Sequence, residues 1–259
     1  MRTRVTSVAM AAALILAAGP LLAEDFQWRG RVAAGKTLEI KGVNGAIDAA
    51  LASGDEVEVV AAKHGRRSDP GSVRIEVVQH EDGVTLCAVY PDVDGRRNEC
   101  RAGHGGHMRT RDNDVEVHFT VKVPAGVALA ARTVNGEVEA AGLERDFDAS
   151  TVNGSIQLST SGRAQAQTVN GSIRASAGRS DWSGDAAFKT VNGSITLTLP
   201  SSTAAAVRAE TVNGDIETDF PLTVTGKFNR RRLNGTIGGG GRSLQMETVN
   251  GSIRLRKSS

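Results

Sequence analysis

The two cysteines of the chain, Cys87 and Cys100, precede His104 and His107 in the pattern Cys-x12-Cys-x3-His-x2-His. Two thiolates and two imidazoles form a donor set for tetrahedral zinc. In an oxidising compartment the same cysteines form a disulfide instead, and an oxidised pair has no thiolate to offer a metal. Familiar zinc modules carry their cysteines a few residues apart, and the stretch Arg101–His107 is rich in glycine. The expected state is therefore the Cys87–Cys100 disulfide, with no metal and no cofactor. Closing a loop of this size contributes about 3 kcal/mol.

Acid–base hydrolysis requires carboxylates gathered at one point, with one tuned as acid or base. Asp215 and Glu217 form one acidic rung, but the equivalent positions of neighbouring repeats hold Ser155, Gln157, Ser172, Arg174, Ser194 and Thr196. The chain carries no Ser-His-Asp set, nucleophile elbow or phosphate loop, so no catalytic residues are assigned. A polysaccharide-cleaving β-helix is kept as an alternative class. Two basic groups could meet anionic polymers: Arg230–Arg232 with Lys227, and Arg96, Arg97, Arg101, Arg109 and Arg111. Asp92, Asp94, Glu99 and Asp112 nearly balance the second group.

Behind these residues stands a repeat. TVNGEV begins at Thr133, TVNGSI at Thr151, Thr168, Thr190 and Thr248, TVNGDI at Thr211 and RLNGTI at Arg232. Their asparagines are Asn135, Asn153, Asn170, Asn192, Asn213, Asn234 and Asn250, and an earlier GVNGAI holds Asn44. Strand-like alternation flanks each copy. Leu244, Met246 and Thr248 alternate with Gln245 and Glu247, whereas Ile253 and Leu255 follow in the opposite parity. A strand that switches parity must bend or bulge to keep one face buried. Glycine, and to a lesser degree asparagine, tolerates the positive φ such a bend can require.

Asn-Gly also favours hairpins, but near-identical repeats 16 to 22 residues apart favour stacked coils. The expected fold is an all-β, single-stranded parallel β-helix or β-solenoid with an Asn-Gly turn in each coil. At about 4.8 Å per coil, the seven late asparagines form a structural column roughly 29 Å long, its amides hydrogen-bonded along the stack as in other asparagine ladders. Five of them stand in Asn-Gly-Ser/Thr triplets. The turn accounts for these, and a glycan on each rung would obstruct stacking.

Composition agrees with a thin core. Only nine residues are aromatic (two Trp, one Tyr, six Phe), and thirty are glycine. Residues 1–23 have the layout of a signal peptide: Arg2 and Arg4, an apolar run from Val8 to Ala18, then Gly19-Pro20 and a small residue, Ala23, at the expected cleavage point. Without Arg2 and Arg4 the 31 basic residues become 29, equal to the 29 acidic ones. A neutral chain without interleaved aromatic residues is not expected to bind nucleic acid. Residues 24–124 read as an irregular N-terminal β region forming early coils of the same solenoid, with a separate β-sandwich as the alternative. Residues 125–259 read as the regular solenoid. The mature chain is expected to have no transmembrane segment.

The repeated TVNGSI, the segment DNDVEVHFTVKVPAGVAL before it and the export layout resemble the bacterial "putative adhesin" family of β-solenoid domains of unknown function, related to the toast-rack domains of envelope stress proteins. The resemblance covers roughly residues 38–256. It implies a single-stranded β-helix, envelope exposure and no cofactor, and it brings no catalytic residues. The expected function is an exported, non-enzymatic binding or structural module, periplasmic or at the cell surface, whose partner is an envelope glycan or protein. The alternative is a scaffold that self-associates through its terminal coils, unless the charged tail Arg254–Lys257 caps that end.

Overall fold

The computed structural model describes residues 25–103, 108–179, 182–224 and 230–258. The signal-peptide segment, its cleavage point after Ala23, His104, His107 and Lys227 lie outside these residues. Two long sheets face each other. The first strands are β1 (Phe26–Gly30), β2 (Thr37–Lys41), β3 (Ile47–Leu51), β4 (Val57–His64), β5 (Arg74–His80), β6 (Gly83–Val89) and β7 (Glu116–Val123). Next come β8 (Ala128–Arg132), β9 (Val138–Leu143), β10 (Phe147–Ser150), β11 (Ile156–Thr160), β12 (Ala164–Gln167), β13 (Ile173–Ala177), β14 (Ala186–Lys189) and β15 (Ile195–Leu199). The last are β16 (Ala205–Asn213), β17 (Ile216–Thr218), β18 (Leu222–Val224), β19 (Arg232–Ile237), β20 (Arg242–Asn250) and β21 (Ile253–Lys257).

One sheet runs β1-β4-β7-β3-β9-β11-β13-β15-β21-β17, the other β18-β19-β16-β20-β14-β12-β10-β8-β2-β6-β5. In the regular part each coil contributes one strand to each sheet, and successive coils pair in parallel. Val138, Ile156, Ile173, Ile195 and Ile253 stack in one register row, all buried. Ala149, Ala166, Phe188, Met246 and Ala209 form a facing row in the other sheet. Both parities point inward, as the alternation requires: Met246 and Thr248 before Asn-Gly are buried, and so are Ile253 and Leu255 after it.

The order of the coils departs from the order of the sequence. The C-terminal coil, β20 and β21, lies between β14–β15 and β16–β17. Arg254–Lys257 therefore belongs to an interior strand, paired with β15 along its length and with β17 at Arg254 and Leu255, and is not a terminal cap. At the other end the coils β2–β3 and β6–β7 continue the stack, and β4, β5 and β1 add antiparallel pairs.

Asn234 corrects the expected column. RLNGTI forms the straight strand β19, antiparallel to β16, with Asn234 opposite Arg208. Its parity does not switch, because Leu233, Gly235 and Ile237 all face inward. The reason is Arg232, which stands where the other copies have threonine. A guanidinium cannot take the buried place of a small hydroxyl, and Arg232 pairs outside with Glu210.

Candidate functional site

The corner between the two sheets is built from the same four residues in six coils. The threonine points inward and is at most 6% exposed. Its hydroxyl donates to a glycine carbonyl of the adjacent coil: Thr133 to Gly45, Thr151 to Gly136, Thr168 to Gly154, Thr190 to Gly171, Thr248 to Gly193 and Thr211 to Gly251, at 2.8–3.0 Å. The glycine is required by close approach. A Cβ on Gly154, Gly171 or Gly193 would lie 2.0 Å from the carbonyl oxygen of the neighbouring glycine. Positive φ is the exception at this corner, found at Gly45 (118°) and Gly251 (156°).

The asparagines form one hydrogen-bonded ladder. Asn135 Nδ2 donates to Asn44 Oδ1, Asn153 to Asn135, Asn170 to Asn153, Asn192 to Asn170, Asn250 to Asn192 and Asn213 to Asn250, each at 2.7–2.9 Å. Asn135 through Asn250 and Asn213 are exposed. An amide has two N–H donors and two acceptor lone pairs, so a rung that spends one of each on its neighbours still presents one of each to solvent. Beside the ladder run Val134, Val152, Val169, Val191, Val249 and Val212, 36–51% exposed. On its other flank Ser155, Ser172 and Ser194 accept, through Oγ, the backbone N–H of Ser172, Ser194 and Ser252. Ser194 is thus engaged in the stack rather than simply facing outward. The result is a strip of valine methyls and free amide groups with the period of the coils, itself uncharged and flanked in two coils by the exposed carboxylates of Glu137 and Asp215, which stand where the others have serine.

The other surfaces differ from rung to rung. On the outer face beyond the corner, Glu139, Gln157, Arg174, Thr196, Arg254 and Glu217 lie in one register row. Glu217 is held by Arg256 at 2.8 Å and lies 3.5 Å from Arg254. The Arg256 guanidinium keeps the Asp219 carboxyl below its ordinary pKa. The carboxylate of the acidic rung considered for catalysis is therefore engaged in ion pairs. Asp215 is exposed, and its backbone N–H donates to Ser252 Oγ. On the opposite sheet a shallow depression of about 230 Å³ is lined by Ser150, Gln165, Gln167 and Lys189 among others.

A second polar cluster has no counterpart in the sequence reading. Cys87 in β6 and Cys100 are joined by a disulfide, with Cα atoms 5.6 Å apart. The chain that follows Cys100, Arg101–Gly103, lies over the outer face of β2. Beneath it Glu39 is 4% exposed. Its Oε2 accepts from Thr85 Oγ1 at 3.0 Å and from Gly103 N at 2.8 Å, and its Oε1 from Arg132 Nε at 3.0 Å. Lys41 Nζ donates to the carbonyls of Arg101 and Gly103, and burial lowers its pKa. A buried charge must be paired and hydrogen-bonded, and here that requirement ties the loop to the sheet. Glu39 does not stand out in the sequence. Nothing local tells that a loop sixty residues later covers it.

Among the described residues no group of three or more His, Cys, Asp or Glu is arranged to hold a metal. Arg111 pairs with Asp94 and Arg101 with Glu99, each at 2.6 Å, so part of the loop's basic charge is compensated locally. No helix among the described residues is long and apolar enough to cross a membrane.

A family model described as Toastrack DUF4097 matches residues 34–256. A solved structure described as a putative cell adhesion protein from Clostridium sporogenes is 11% identical, with 91% of this chain and 100% of that chain covered and a TM-score of 0.48. One described as a putative adhesin from Bacteroides fragilis is 10% identical, covering 91% and 97%, with a TM-score of 0.40. No curated protein matches the chain.

Proposed function

The chain belongs to the toast-rack family, and from that premise we propose that it is an exported, non-enzymatic binding module of the cell envelope that holds a long polymeric ligand along its valine–asparagine strip. One observation carries this reading: six coils present the same exposed valine and ladder asparagine in register. Equal weak sites at a fixed spacing raise the effective concentration for each further contact with a repetitive ligand. The strip is uncharged, so its ligand is a neutral stretch of polymer offering hydroxyls or amides beside apolar edges. An envelope polysaccharide has that chemistry. End-to-end scaffolding has weaker support, because antiparallel strands follow the parallel ones in both sheets at one end (β4 on β7, β5 on β6) and in one sheet at the other (β19 and β18 beyond β16).

The test is retention of purified protein on a panel of envelope polysaccharides. Val152→Glu, Val169→Glu and Val191→Glu, combined one after another, are expected to weaken retention at each step while circular dichroism stays unchanged. Undiminished retention by the triple variant would remove the strip from the function. Release of new reducing ends above a heat-inactivated control, lost in Asp215→Asn or Glu217→Gln, would favour the enzyme class.

A further inference from the structure

The C-terminal coil occupies a slot whose walls are complete without it. On one side β14 and β15 pair with β20 and β21 through Ala186–Lys189 and Ile195–Leu199. On the other side β16 pairs with β20 from Ala205 to Asn213, and β17 with β21 from Ile216 to Thr218. Both walls belong to chain that precedes the inserted coil. The corner fittings are generic as well. Thr248 donates to Gly193 O as Thr190 does to Gly171 O, and Asn250 continues the ladder from Asn192 to Asn213.

The coil is joined to the rest only through Gly238, Gly239, Gly240 and Gly241. Three of these have positive φ (57°, 75° and 131° at positions 238, 240 and 241), and a Cβ at Gly239 would meet nothing within 4 Å. The four-glycine link must carry the chain across β16, since Ile237 lies beside Ala205 on one flank and Arg242 beside Ala205 on the other. That is two strand spacings, about 10 Å.

We propose that the slot between β14–β15 and β16–β17 also accepts residues 242–257 of a second copy of this chain, giving a dimer by reciprocal exchange of the C-terminal coil. Every pairing of the inserted coil is the same in the exchanged form, because the walls are the same. Only the link changes, losing its turn and the Gly240 N–H to Ile237 O bond of 3.1 Å. Such exchange of an identical element is a low-cost route to dimers. The glycines supply the freedom to open the link. The partner is this chain itself, since it carries the matched threonine, asparagine and glycine at the required spacing.

Two preparations test the exchange, one carrying Ala187→Cys and the other Gln245→Cys, at positions opposite each other in β14 and β20. They are unfolded in denaturant with the native disulfide intact, mixed, and refolded at high concentration before mild oxidation. Exchange predicts a covalent dimer, at least tenfold enriched over the same mixture refolded at hundredfold lower concentration. A mixture without covalent dimer, under conditions where the double variant on one chain closes the link internally, overturns the proposal. Independently, wild type refolded at the high concentration should contain a species of twice the monomer mass by light scattering, and a wholly monomeric profile overturns it. Deleting Gly239 and Gly240 leaves about 10 Å of chain, with no slack to arch over Ala205, and should convert the population to dimer. A monomeric, folded deletion variant would count against exchange.

Discussion

The stacked coils from β8 onward and the N-terminal stretch from β1 to β7 share two sheets but are held by different means. In the stack, one threonine hydroxyl, one asparagine amide and one glycine contact recur at each corner. In the N-terminal stretch hardly any device occurs twice. It has one disulfide, one buried carboxylate with its donors, and antiparallel pairs between β1, β4 and β7 and between β5 and β6. Repetition distributes stability over many small equal terms, as in a nearest-neighbour array. The irregular end concentrates it in a few terms whose loss is local.

The sharpest break of this contrast is steric. Gly171→Ala places a methyl 2.0 Å from the Gly154 carbonyl, so two coils must separate. A loss of about 3 kcal/mol or more is expected in chemical denaturation. Gly54→Ala at the other end meets nothing within 4 Å and should stay within about 0.5 kcal/mol. Equal effects would mean that the coils are not in the close contact described.

Next in size is the Cys87→Ser/Cys100→Ser double variant, expected to cost about 3 kcal/mol. Amide hydrogen exchange should rise in β5, β6 and the loop after Val89, with β9 to β15 keeping their protection. A uniform rise over both regions would erase the distinction.

Hydroxyl deletions compare the two kinds of term directly. Thr85→Val removes a donor from the buried Glu39 carboxylate and should cost about 2 kcal/mol, because bonds to charged groups are the stronger ones. Thr168→Val removes a neutral bond to Gly154 O and should cost about 1 kcal/mol. Reversal of that order, measured by denaturant midpoint at constant m-value, would contradict the account of Glu39.

A smaller effect is expected in the ladder, since its amides are exposed. Asn170→Asp loses the donor to Asn153 Oδ1 and adds a charge to a neutral column, at a cost of about 0.5–1 kcal/mol. Asn234→Asp, outside the column, should change thermal stability little, and a larger loss there than at Asn170 would contradict its assignment to β19.

A pH slope gives a test of another kind, confined to the N-terminal stretch. Burial pushes the Tyr90 hydroxyl up to about 12, and it donates to Val115 O at 2.7 Å. The folded chain then keeps a proton that the unfolded chain loses from about pH 10 upward, so stability falls between about pH 10 and 12. Lys41, lowered by burial, acts oppositely: its cost is relieved as pH rises through its folded pKa towards its ordinary value. Tyr90→Phe should flatten the decline above pH 10, and an unchanged slope would assign it elsewhere.

The sequence determined much of the regular part through local periodicity. The parity change between Met246 and Ile253 requires a bend wherever TVNG occurs, and a small aliphatic core follows from nine aromatic residues in 259. Arg232 in place of threonine was the legible sign that Asn234 would leave the column, since no buried site accepts a guanidinium in that position. Two features were decided by tertiary structure alone. The cover over Glu39 depends on a loop distant in sequence whose backbone supplies the missing donor. The place of the last coil between β14 and β16 depends on the stack as a whole. Each TVNG coil offers the same threonine, asparagine and glycine to both neighbours, so local chemistry leaves the order of coils degenerate. The order is settled by chain connections and by the antiparallel β18–β19 pair that occupies the outer side of β16.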